Sequence, residues 1–272
     1  MTMILEVLVS CMGQEDMVIV EQSKITSNAL VINQSDRNAF QQYTNENQII
    51  RMISTTQRGL SKSRNMAIDN AAGDICLFCD NDEVFYHGYE QIVLAAFERL
   101  SDADLILFDF DNLPHSFKRE EHQLSFFELF HAISCQIAYR TTSLKKAGVK
   151  FHPYMGAGTG NGAQEENKFL IDCYKKSLKI YYVPVKIGKV IENESTWFTG
   201  YNEKFFYQRG ASTRQMLGFP LAMAYAVYYT VRKYTMYRKE ISPFRAFYAT
   251  VKGCFEDPIG KQARVHNLTR KS

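Results

Sequence analysis

The chain has 272 residues, of which 46% are hydrophobic and 22% charged, with 15 Gly and 6 Pro. Those values belong to a folded globular chain and exclude collagen-like, low-complexity and disordered classes. The net charge of +3 is uneven: residues 1–230 carry 22 Lys/Arg and 26 Asp/Glu, whereas 231–272 carry 10 and 3. A basic tail of this kind suits an anionic surface, lipid or nucleic acid.

Leu5–Cys11 reads as a strand by its Val and Leu content. Glu6 interrupts the apolar run Ile4–Cys11 and no basic segment precedes it, so the run does not read as a signal peptide. Ala29–Asn33 is a second strand, closed by the turn-forming Gln-Ser-Asp, and Gln48–Ser54 a third. Gly59 opens GLSKSRNMAIDNAAGD, where Leu60, Ser63, Ala67 and Ala71 lie near one helical stripe and Gly73 stops the helix. Ile75–Cys79 follows as a continuously apolar strand. Cys76 and Cys79 form a CxxC without a second pair at zinc spacing, and read as buried strand cysteines. Tyr89–Leu100 is then a helix, Asp104–Phe110 a strand, Leu124–Arg140 a helix with a thick apolar face, Phe151–Gly162 a loop and Leu178–Ile187 a strand. Strand–helix alternation with short apolar strands predicts an α/β fold with a mostly parallel, helix-covered sheet.

Ligands of such sheets bind beyond the carboxyl ends of the strands. Asp80-Asn81-Asp82-Glu83 stands at such an end. Carboxylates this close raise one another's pKa until a cation neutralises them, and oxygen ligands of this kind suit Mg²⁺ or Mn²⁺. Arg58, Lys62 and Arg64 lie just upstream, where they could meet a diphosphate. Asp109-Phe110-Asp111 has similar spacing and reads as a strand terminus with exposed Asp side chains. Phe151–Gly162 lacks a Walker sequence and reads as a mobile loop over a substrate. After it, Glu165 and Glu166 could supply a general base or simply form an acidic first turn that favours the helix dipole.

The last third changes character. Leu217–Val231 is apolar at most of its positions but too short to span a bilayer. Arg232, Lys233, Arg238 and Lys239 follow, interleaved with Tyr234, Met236 and Tyr237; Phe244, Phe247, Tyr248 and Val251 form a second apolar stripe. Apolar faces with a basic rim fit helices lying in a membrane interface, with ordinary core helices as the alternative.

Together these segments resemble a family 2 glycosyltransferase of the GT-A fold, of the kind that builds bacterial capsule or exopolysaccharide. The resemblance covers roughly residues 4–210. Its main carrier is GLSKSRNMAIDNAAGDICLFCDNDE, residues 59–83, similar to the family's Gly-Leu-Ser-x-Ala-Arg-Asn helix followed by Gly-Asp, an apolar strand and Asp-x-Asp. QEENKFL, residues 164–170, resembles the family's Glu-Asp-x-x-Phe motif, and STWFTGY, residues 195–201, a downstream segment of polysaccharide transferases. The resemblance implies a Rossmann-like GT-A domain at 1–210, and the basic, aromatic-edged helices of 211–272 read from their own residues as a C-terminal, membrane-associating extension.

The implied activity is that of a metal-dependent, inverting, hexosyltransferase-type enzyme. It would move a sugar from a nucleotide sugar, a UDP-sugar by preference, to a polyprenyl-diphosphate-linked oligosaccharide at the inner, cytoplasmic face of the bacterial membrane. Ser10, Asn33, Asp36, Arg58, Arg64 and Asp80 are the implied nucleotide-sugar contacts. Asp82, with Asp80, would hold Mn²⁺ or Mg²⁺, and Glu166 would be the base, with Glu165 beside it. An anionic membrane surface is the implied partner, and no nucleic-acid module is recognised. Four departures stand out. The base is Glu rather than Asp, Gln164 replaces a common Gly, Asn33 and Gln34 replace acidic residues, and no metal-binding His follows the acidic pair, a place Glu192 or Glu194 could take. The Gln164 and Asn33 departures motivate the alternative of a non-catalytic GT-A-like partner in a polysaccharide assembly complex.

Overall fold

The computed structural model describes residues 3–44, 47–114, 116–161, 164–191 and 200–269. The segment 192–199, which holds Glu192, Glu194 and most of STWFTGY, lies outside them. In chain order the elements are β1 (Leu5–Met12), α1 (Val18–Gln22), β2 (Asn28–Gln34), β3 (Ala39–Thr44), β4 (Ile49–Thr55), α2 (Leu60–Asn70), β5 (Ile75–Asp80), β6 (Glu83–Phe85), α3 (Tyr89–Arg99) and β7 (Leu105–Asp111). They continue as β8 (His122–Gln123), β9 (Ile137–Arg140), α4 (Thr141–Ala147), α5 (Glu165–Lys175), β10 (Ile180–Val190), α6 (Glu203–Leu217), α7 (Phe219–Arg232), α8 (Tyr234–Tyr237), α9 (Pro243–Glu256) and α10 (Pro258–Thr269).

The described strands form one sheet in the order β3-β4-β2-β1-β5-β9-β7-β10-β6, with β8 also on β10. The sheet is mixed, with its long central strands parallel and antiparallel pairing confined to the shorter strands. Pairs β1–β2, β1–β5, β2–β4 and β7–β10 are parallel, while the short β3, β6, β8 and β9 pair antiparallel to their neighbours. Because β9 runs against both β5 and β7, those two point the same way. The carboxyl ends of β1, β2, β4, β5, β7 and β10 therefore share one edge, where ligand chemistry is expected. The strands at the centre are buried on both faces, which is why they read as unbroken apolar runs.

The helix expected over Leu124–Arg140 is absent. The segment forms two 3₁₀ turns, Glu128–His131 and Ser134–Gln136, and then strand β9. The apolar Ile137–Tyr139 is inserted between β5 and β7 and paired on both sides. Two open strand edges satisfy its backbone, a tertiary gain that overrides helical periodicity.

Chain contacts divide the molecule into two compact units, residues 1–151 with 169–193, and 152–168 with 194–272. The first holds the sheet; the second holds α6 to α10 and the first turn of α5. Helix α6 runs through residues 210 and 211, where the sequence reading places a domain boundary. Within the second unit α6 and α9 cross with their backbones touching. A Cβ on Gly210 would stand 2.0 Å from the Thr250 carbonyl oxygen, and one on Gly253 2.0 Å from that of Tyr207. Only glycine permits this approach. Phe206, Tyr229 and Tyr237 fill the space beside the crossing.

Candidate active site

The register of the central strands collects the first group of residues. Ser10 of β1 pairs with Asp80 of β5, and Asn33 of β2 lies between Cys11 and Ser54. Helix α2 begins at the same edge because it follows β4 directly. Its Gly59 has φ 116°, and the Gly59 N–H donates to Gln34 Oε1 at 2.7 Å, which fixes the helix start. From α2, Ser63 Oγ donates to Ser10 Oγ at 2.9 Å. Arg64 Nη2 donates to Asp80 Oδ2 at 2.8 Å and Oδ1 at 3.1 Å, and to Ser134 Oγ at 2.8 Å.

Arg64 is only 2% exposed and lies 5.4 Å from the centroid of the Phe151 ring, which stacks on Phe169. A charge this deep requires a partner, and Asp80 is that partner. The guanidinium thus clamps the end of β5 by a charge-assisted pair of bonds. Ser134 belongs to the segment misread as a helix, so nothing in the sequence pattern marked it.

Asp82 is half-buried just beyond β5. Burial, and secondarily the charge of Asp80, push its carboxyl above the usual range. Glu83 is fully buried and is raised well above its ordinary value by the same two causes in the same order. The backbone carbonyl of Asp82 accepts from the Ile191 N–H at 2.7 Å, so β10 holds this turn. Among the described residues no three His, Cys, Asp or Glu side chains converge into a ready metal cage. Asp80 and Asp82 stand two residues apart at the strand end, and a carboxylate whose charge is disfavoured, as that of Asp82 is, is a donor that a divalent cation relieves. Mg²⁺-type sites commonly rest on one or two carboxylates, with substrate phosphates completing them.

Asn33 is buried and fully engaged. Its Oδ1 accepts from Gln14 N at 3.0 Å, and its Nδ2 donates to Gln14 O at 2.7 Å and Ser54 Oγ at 3.2 Å. It ties the loop after β1 to β4. Asp36 is fully exposed and pairs with Arg58 at 2.7 Å. Arg58 also donates to the carbonyl oxygens of Ser35 and Thr55. The edge therefore presents Ser10, Asp80 and Asp82 beside an Asp36–Arg58 rim, with Asn33 and Arg64 bracing from beneath.

The second acidic pair lies at the start of α5, and its first turn belongs to the second unit. Glu165 is buried and its carboxylate packs on Gly156, where a Cβ would come within 2.7 Å of Glu165 Cδ. Glu166 is less buried. Gln164 has φ 82°, so a residue other than glycine occupies a left-handed conformation where the family commonly places Gly. Its side chain is buried, and among the described residues its Oε1 has no hydrogen-bond partner. Strain and an unsatisfied amide thus coincide immediately before the pair.

Asp109 and Asp111 line a cavity of about 570 Å³ with Arg119, Gln136 and Lys186, at the end of β7 and beside the irregular middle of β10. Lys186 and the Tyr86 hydroxyl bind Asp111 and hold its carboxyl below the usual range, Lys186 having the larger effect. The six cysteines are free and buried, Cys76 and Cys79 within β5, with both thiols pushed up by burial.

Carboxylates and basic groups oriented at the carboxyl edge of a helix-covered sheet stand where α/β enzymes bind their ligands. The chain belongs to glycosyl transferase family 2, whose sequence profile matches residues 4–148, and is a glycosyltransferase. No curated protein is similar to it in sequence. Its fold is similar to that of S. aureus TarS. With the 1–349 fragment solved with UDP-GlcNAc, the TM-score is 0.62 at 17% identity, covering 88% of this chain and 74% of the fragment. With the 1–349 fragment alone it is 0.56 at 17% identity, covering 78% and 65%, and with the longer TarS chain 0.58 at 17% identity, covering 87% and 44%. The chain thus spans under half of the longer TarS chain. At that identity the likeness establishes a GT-A-like fold. No helix among the described residues is long and apolar enough to cross a membrane.

Proposed function

We propose that the protein is a metal-dependent, inverting hexosyltransferase that uses a nucleotide sugar, a UDP-sugar by preference. The acceptor is a polyprenyl-diphosphate-linked oligosaccharide of a bacterial surface polysaccharide such as capsule, met at the inner face of the cell membrane. The body of residues 1–210 carries the chemistry and 211–272 the membrane attachment. The Asp80–Asp82 pair at the end of β5, with Arg64 bound to Asp80 and Ser10 beside Asp80 on β1, is the observation that carries this reading. The UDP-GlcNAc complex of TarS supports the choice of donor.

In this reading Asp82, with Asp80, holds Mn²⁺ or Mg²⁺, which when bound supplies positive charge to the departing nucleoside diphosphate. Ser10 and Asp36 contact the nucleoside, with Asn33 shaping that pocket, and Arg58 faces the diphosphate. Arg64 acts through Asp80, fixing its carboxylate for the ribose and the metal. Glu166 takes the proton of the acceptor hydroxyl as it attacks the anomeric carbon, and the pair of electrons leaves with the diphosphate oxygen. Glu165, packed on Gly156, positions the first turn from which Glu166 projects.

The test is metal-dependent binding and hydrolysis across UDP-, GDP- and dTDP-sugars. Selection of one donor in the presence of Mn²⁺ or Mg²⁺ is the expected result. Failure to bind any donor with either metal would overturn the reading in favour of a non-catalytic partner.

A further inference from the structure

Helix α7 turns an apolar face outward. Pro220, Leu221, Ala224, Val227, Tyr228 and Val231 are all exposed and recur at three- and four-residue spacing, so they form one stripe. Leu221 is 60% exposed, Val227 53%, Tyr228 58% and Val231 73%. The opposite face buries Ala222, Ala226, Tyr229 and Thr230 against the second unit's core. The stripe runs for about 16 Å at 1.5 Å per residue. A continuous exposed patch of aliphatic side chains marks a surface that something covers.

The charges around the stripe identify what covers it. Arg232 and Lys233 stand at its C-terminal end, and Arg238 and Lys239 follow one short helix later. Among the described residues none of these four has an ion-pair partner. The one acidic residue between 219 and 245, Glu240, is turned onto the Tyr201 N–H at 2.7 Å. Tyr234 and Met236, also exposed, lie between the two basic pairs. A second copy of the chain would have to match these cations with acidic groups that this surface does not offer. An anionic bilayer supplies both counterparts, headgroups for the cations and acyl chains for the stripe.

We propose that the outward face of α7 lies in the headgroup–acyl boundary of an anionic membrane, with Arg232, Lys233, Arg238 and Lys239 reading its charge. This deepens the membrane-face reading of the enzyme and rests on it for its purpose, but vesicle binding is measured without donor or acceptor. The full chain is sedimented with vesicles of phosphatidylcholine alone or mixed with phosphatidylglycerol. Wild type should pellet with the mixed vesicles and far less with the neutral ones. The Leu221→Ser/Val227→Ser/Val231→Ser variant should bind mixed vesicles at least tenfold more weakly at every salt concentration. The variant with Arg232, Lys233, Arg238 and Lys239 changed to Gln should lose the preference for phosphatidylglycerol.

All seven positions lie on the surface, so thermal melting should be unchanged; if the triple variant melts early, Val231→Ser alone carries the comparison. Undiminished pelleting of the Ser variants, or no pelleting of wild type, overturns the proposal. So does a wild-type dimer in light scattering that the Ser variants dissociate, which would make the stripe a self-contact. Loss of donor use with vesicle binding intact would count against the proposed function and leave this surface standing.

Discussion

The two units solve opposite problems. In the first, charged and polar side chains are taken inside at the carboxyl edge of the sheet and neutralised there: Arg64 on Asp80, Asn33 on Gln14 and Ser54, Gln34 on the Gly59 N–H. In the second, the interior is closed by bare backbone contact at Gly210 and Gly253, while aliphatic side chains of α7 remain outside. A buried charge without its partner is costly, so the first unit specifies where its carboxylates point. An exposed apolar stripe is costly only until it is covered, so the second specifies what it must meet.

The difference can be broken from either side. The largest effect is expected at the helix crossing. Gly210→Val and Gly253→Val each drive a side chain into a carbonyl oxygen and should cost about 3 kcal/mol or more. Denaturant melts should show the loss in the helical transition, and nucleotide binding by the sheet should survive better than vesicle binding.

Arg64→Met removes the partner of Asp80. Because Asp80 retains some access to water, the cost should be at the low end for broken buried pairs, about 3 kcal/mol. Donor affinity should fall with it, and Arg64→Lys should rescue stability in part but not the two-oxygen grip.

Gln164→Gly should act in the other direction. Releasing a left-handed non-glycine residue and an unsatisfied amide should raise stability by about 1 kcal/mol. If kcat falls in the same variant, the strain serves the acidic pair; if kcat is unchanged, it is incidental.

The smallest effect concerns pH. Partial burial of Glu128 opposes its ionisation, but the Ser125 hydroxyl and N–H, with His122, outweigh that and lower its carboxyl to about 2. A depressed carboxyl contributes stability that is present above its unfolded pKa of about 4.3 and lost as pH falls toward 2. Glu128→Gln should therefore lower stability at pH 7 by a few tenths of a kcal/mol, given its exposure, and should flatten the acid limb of the melting curve.

The acidic edge was legible in the sequence because an unbroken apolar run reads as a buried strand, and acidic residues directly after it mark the end of that strand. Strand β9 was not legible. Leu124–Arg140 has helical periodicity, and only the gap between β5 and β7 makes Ile137–Tyr139 a strand, so Ser134, which reaches both Arg64 and Asp80, stayed hidden with it. Gln164 was noticed as a departure, but its cause is a backbone angle that no side-chain pattern reports. For α7 the apolar run was visible, whereas which face would be outward depends on where Gly210 and Gly253 let α6 and α9 close.

The central claim is that Asp82 and Glu166 do different work on one nucleotide sugar. Calorimetry with the selected donor and Mn²⁺, beside single-turnover kinetics, compares wild type, Asp82→Ala and Glu166→Gln. Asp82→Ala should lose metal-dependent donor binding. Glu166→Gln should bind donor as wild type does and transfer about 10²–10⁴-fold more slowly, as expected for loss of a general base. Equal loss of binding in both variants, or undiminished transfer in Glu166→Gln, would contradict the account.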